Sequence, residues 1–216
     1  MRNLLRYYAT NFLQYMAVVV VFVALVILGS RYTPLSLFES YSYMLPTLGL
    51  WLAPLTMAGC RVTTSLPIYF GVRRRNTFIG IQLMAVAMVL CTVALAAVGM
   101  ACIKMWTTGY SVDLGPEGLP VLLVTSLAMT ELALLAQYVP NGGKQRTASI
   151  MLVLIMIVFA ASITLGVIKA VGFPVPLFPV SVLRPGWAVF TAVCALITLA
   201  GGALTWHYYR KAVIRL

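Results

Sequence analysis

Six apolar stretches dominate this chain: 12–29, 43–60, 78–103, 119–139, 148–168 and 187–206, with nearly all charge held in the segments between them. A helix needs about 20 such residues to cross the hydrocarbon core of a bilayer. Backbone surrounded by lipid must satisfy its own polar groups, which favours helices over open strands. Only 9% of the residues are charged and 62% are hydrophobic, whereas a soluble domain carries about a quarter charged residues. A water-soluble fold would lack polar groups to cover its surface. The expected fold is all-α: a polytopic membrane protein with six transmembrane helices in a single domain, 1–216. The first stretch resembles a signal peptide, but its core exceeds the usual ~7–15 residues and no clear A-x-A site follows, so it reads as a retained span. Pro46 and Pro54 fall inside the second stretch, where neighbours must satisfy the freed carbonyls.

The net charge of +11 reads as topology rather than as a nucleic-acid surface, because the basic residues lie between apolar runs. Six spans put both termini on one side. With that side cytoplasmic, eleven of the fifteen basic residues fall inside: Arg2, Arg6, Arg61, Arg73, Arg74, Arg75, Lys144, Arg146, Arg210, Lys211 and Arg215. Arg31, Lys104, Lys169 and Arg184 fall outside, with Glu39, Asp113 and Glu117. The positive-inside rule then predicts both termini cytoplasmic, and the expected location is the plasma membrane. Residues 1–11 are either a short in-plane helix or a basic tail that sets orientation. Residues 169–186 are apolar but broken by Pro174, Pro176, Pro179 and Pro185. They predict a re-entrant outer element or an ordinary outer loop packed on the helix ends.

The polar stretch Arg61–Thr77, RVTTSLPIYFGVRRRNT, lies between spans two and three. Leu66, Tyr69 and Phe70 fall at i, i+3 and i+4 and share one face of a short helix. Thr64 or Ser65 can cap its start and Gly71 can end it. Arg73, Arg74 and Arg75 follow, with Asn76 and Thr77 as caps for span three. The expected role is an in-plane element on the cytoplasmic surface that receives force from a partner protein.

Catalytic patterns are sparse. The one histidine, His207, neighbours Trp206 and Tyr208 and reads as an interface residue. Cys60, Cys91, Cys102 and Cys194 are scattered without a CxxC pair, so no metal or redox site is expected. Gly143-Lys144 lacks the upstream glycine and following Ser or Thr of a phosphate loop. One ionisable residue lies inside a span, Glu131, which must face the bundle interior or a water-filled cavity. With Thr130, Gln137 and Gln82 it is a candidate lining for a translocation path. The structural alternative is an interhelical hydrogen bond worth about 1 kcal/mol.

The topology, with Phe70-Gly71-Val72-Arg73-Arg74-Arg75-Asn76-Thr77-Phe78 ahead of span three, resembles the ABC-2-type ABC transporter permeases. The resemblance covers the chain in topology but only about ten residues in motif. It implies that Leu66, Tyr69, Phe70, Gly71, Arg73, Arg74 and Arg75 form a coupling helix docked on a separate ABC ATPase. That subunit would hold ATP and Mg, leaving this chain with no cofactor and no enzymatic activity of its own. A second permease subunit, identical or different, would complete the pathway, and export is the implied direction. The alternative for the arginines is contact with anionic lipid, about 1 kcal/mol per charge. Alternatives for the whole chain are a six-span substrate-binding subunit of a vitamin-type importer, a membrane enzyme, and a non-transport assembly protein.

Overall fold

The computed structural model describes residues 2–32, 44–58, 68, 71–106, 115–138 and 187–211. Among them the chain is all-helical, with five helices: α1 (Arg2–Tyr32), α2 (Met44–Ala58), α3 (Arg74–Trp106), α4 (Gly115–Tyr138) and α5 (Trp187–Lys211). Three segments, Arg6–Gly29, Arg74–Met105 and Gly118–Tyr138, are long and apolar enough to cross a membrane. The stretches expected at 43–60 and 187–206 are also helical, as α2 and α5. The run 148–168 and the proline-broken segment 169–186 lie outside the described residues.

Two boundaries depart from expectation. No separate in-plane helix precedes the first span, because α1 runs unbroken from Arg2. No proline or glycine occurs between Arg2 and Leu28, so nothing interrupts the hydrogen-bond ladder. Asn76 and Thr77 do not cap α3 but lie within its first turns. The cap is Arg73, whose carbonyl oxygen accepts bonds from the Asn76 and Thr77 amides at 2.9 and 3.1 Å.

The contacts fix the helix directions. Tyr8 meets Thr77, Tyr15 meets Thr92 and Val23 faces Gly99, so α1 and α3 run parallel. Gly49 faces Ser126 and Met57 receives a bond from Gln137, so α2 and α4 run together. Thr125 lies beside Cys194, Glu131 beside Gly201 and Tyr138 beside Tyr209, so α5 runs parallel to α4. Gln82 contacts Glu131, while Val93 and Ser126 both face Gly49, which sets α3 antiparallel to α4.

Among the described helices α2 is the innermost. Leu45, Leu48, Ala53 and Met57 are fully buried, with α3 and α4 packed against it. Around it the outer helices turn large apolar side chains outward: Leu13 is 65% exposed on α1, Leu83 62% on α3 and Leu199 73% on α5. Contiguous outward apolar faces of this kind suit lipid rather than water. Lipid tails are as apolar as leucine, so helices in a bilayer associate through close packing and hydrogen bonds. Gly80 illustrates the first. A methyl group there would stand 2.5 Å from the Tyr8 ring.

One end of the bundle gathers the start of α1 and α3 and the finish of α2, α4 and α5. Among the described residues it carries Arg6, Arg73, Arg74, Arg75, Arg210 and Lys211, while Arg31 and Lys104 mark the other end. We call the first the basic end.

Candidate functional site

Two places hold the residues singled out in the sequence. The first is the basic end where α3 begins. Leu66, Tyr69 and Phe70 lie outside the described residues. Gly71 has φ of 79°, the left-handed conformation that glycine adopts without a side-chain clash. Its amide donates to the Ile68 carbonyl at 3.0 Å, the kind of bond that closes a helical turn.

The three arginines that follow divide into two kinds. All are exposed. Arg74 Nη1 donates to the Arg210 carbonyl oxygen at 2.9 Å, so a cation caps the last turn of α5, where carbonyls lack intrahelical donors. Arg73 serves α3 through its backbone, and the Arg73 and Arg75 side chains face out. Neighbouring contacts reinforce this junction. The Tyr8 hydroxyl donates to the Thr77 carbonyl at 3.2 Å. The Phe78 ring packs on Trp206 at 4.9 Å and on Tyr209 at 5.7 Å between centroids. Tyr209 in turn meets Tyr138 edge-on at 5.2 Å. The first turns of α3 are therefore held by α1 on one side and α5 on the other. His207 is exposed and stands edge-on to Tyr208 at 5.5 Å.

The second place is the middle of the bundle. Glu131 is buried. Gln82 Nε2 donates to Glu131 Oε2 at 3.2 Å, bridging α3 and α4. On the α5 side stand Gly201 and Gly202. A methyl group on Gly201 would lie 3.2 Å from Glu131 Cβ, and one on Gly202 would lie 3.8 Å from Glu131 Oε2. A larger residue at position 201 would therefore press on the acid, whereas one at 202 would start at ordinary contact distance. An isolated carboxylate in this setting is costly, and the amide supplies a donor that lipid cannot.

The other two residues expected on a path make their bonds elsewhere. Thr130 is buried, and its hydroxyl donates to the Ser126 carbonyl one turn back at 2.7 Å. Gln137 Nε2 donates to the Met57 carbonyl and so ties α4 to α2. Gln82 and Glu131 meet; Thr130 and Gln137 serve local and α2 contacts.

Comparison with known families, characterised proteins and solved structures returns no match. What the site can do therefore rests on its own residues.

Three features escaped the reading of the sequence. The Tyr15 hydroxyl lies 2.7 Å from Thr92 Oγ1. Thr92 spends its own proton on the Met88 carbonyl at 2.7 Å, so Tyr15 is the donor between them. The Gly201-Gly202 pair opposite Glu131 is visible as a sequence but carries no sign of what it faces. The Arg74–Arg210 bond joins residues remote in the chain, and no local pattern announces it.

Proposed function

We propose that this chain is the transmembrane subunit of an ATP-driven exporter of the ABC-2 type, moved by a separate ATPase that grips the segment ahead of α3. The observation that carries this reading is the double hold on α3. Tyr8 bonds Thr77, Arg74 bonds Arg210, and Phe78 packs on Trp206. A force applied just before Gly71 is thereby passed to α1, α3 and α5 together.

Helix direction supports the six-span count. α4 and α5 are parallel neighbours, so the chain between Tyr138 and Trp187 must return from the basic end to the opposite end. The apolar run 148–168 is long enough to make that crossing as a helix. The charge distribution supports a cytoplasmic basic end, with both termini on that side. The Gln82–Glu131 pair is the polar point of the bundle where a pathway between two permease subunits would be lined.

Copurification tests the reading. The chain, expressed with its genomic neighbours, is expected to carry a soluble ATPase through purification. Tyr69→Ala with Phe70→Ala, and Arg73→Ala with Arg75→Ala, are expected to release that ATPase while the bundle stays folded. Undiminished ATPase binding in both variants would overturn the coupling role. Ligand capture by the chain alone, without an ATPase, would favour the importer-type alternative.

A further inference from the structure

The Arg74–Arg210 bond has a geometric effect beyond holding α3 to α5. Each of Arg73, Arg75 and Lys211 lies within one residue of the bonded pair, and Arg210 belongs to it. All four side chains are exposed. The first turn of α3 contains no acid, and neither does the last turn of α5. Cations from two helices are thus brought to one place with no described acidic partner beside them.

These charges also stand at the head of apolar stripes. Arg75, Ile79, Leu83, Val86 and Leu90 follow at intervals of four, four, three and four, which is one face of α3. All five are exposed. On α5, Lys211, His207, Leu204, Ala200 and Leu196 form a second exposed row, and α5 meets α3 near the cationic end through Trp206, Tyr209 and Arg210. A cationic head above an apolar stripe on each of two adjoining helices complements a molecule with an anionic head and hydrocarbon tails. A free phosphate ion would have no use for the stripes, and an acidic protein groove would not follow them along the helices.

We infer that Arg73, Arg75, Arg210 and Lys211 form a headgroup site for an anionic phospholipid, whose acyl chains lie along the outward faces of α3 and α5. The Arg74 bond assembles the site. This inference rests on the membrane setting of the helices and not on any ATPase.

The purified full chain in detergent micelles tests it, with no ATPase present. Thermal unfolding is followed while phosphatidylglycerol, phosphatidylcholine or inorganic phosphate is titrated. Wild type is expected to be stabilised at lower concentrations of phosphatidylglycerol than of phosphatidylcholine, and inorganic phosphate is expected to do little. Loss of a cation at an anionic lipid surface is worth about fivefold. Arg73→Gln with Arg75→Gln should therefore weaken the preference about twenty-fivefold, and Arg210→Gln with Lys211→Gln should do likewise. The second pair leaves the Arg210 carbonyl in place for Arg74. Arg31→Gln with Lys104→Gln removes equal charge from the opposite end and should leave the preference intact. Three results would overturn the site: equal response to the two lipids, equal loss in the opposite-end variant, or stabilisation by inorganic phosphate matching that by phosphatidylglycerol.

Discussion

At mid-bundle the Glu131 carboxylate accepts a bond from Gln82 and is roofed by two glycines of α5. At the basic end Arg74, Tyr8, Phe78, Trp206 and Tyr209 tie three helices together beside exposed cations. Both regions join α3 to its neighbours, yet a broken contact meets different surroundings in each. In the apolar middle few groups can replace a lost partner, so an unmatched polar group carries a desolvation cost. At the end, water and headgroups can substitute. The middle is therefore suited to fixing one arrangement of helices, and the end to exchanging contacts with something outside the bundle.

Unfolding of purified variants in detergent can break this contrast. Glu131→Leu should cost the most, about 2–4 kcal/mol, because it strands the Gln82 amide and pushes bulk toward Gly201. Glu131→Gln keeps a partner for Gln82 and should unfold close to wild type while altering transport or stimulation of the ATPase. Wild-type transport in that variant would demote Glu131 to a packing residue. Gly80→Ala should cost about 1–3 kcal/mol, since the Tyr8 ring must move and its bond to Thr77 loosens; hydrogen exchange at the start of α3 should rise with it. Arg74→Ala removes an exposed cap and should cost about 0.5–1 kcal/mol. A loss as large as that of Glu131→Leu would erase the distinction between middle and end. Tyr15→Phe is the smallest, about 0.6 kcal/mol, because Thr92 keeps its bond to Met88.

The helices were legible because apolar runs of this length have few other solutions. Their boundaries were less so. Thr77 and Asn76 carry the side chains of good caps, yet the Arg73 carbonyl takes that place. Glu131 could be directed inward from its charge alone, and Gln82, one of the polar residues set beside it, does bond to it. Thr130 and Gln137 were grouped with it too, but Thr130 bonds its own helix and Gln137 bonds α2. Which face of each helix meets a neighbour was not legible. In a span that is apolar all round, the pattern that marks a buried stripe in a soluble helix is nearly absent. Val19 is buried and Val20 half exposed, and nothing in the residue type separates them. Contacts such as Tyr8–Thr77 and Arg74–Arg210 depend on pairing across long separations, which only the assembled bundle reveals.

The parallel run of α4 and α5 has a consequence for how the molecule is made. During synthesis α4 emerges long before α5, and Glu131 must wait without the glycines that later cover it. Until Trp187 and the residues after it have been made, Glu131 lacks the close approach of Gly201 and Gly202.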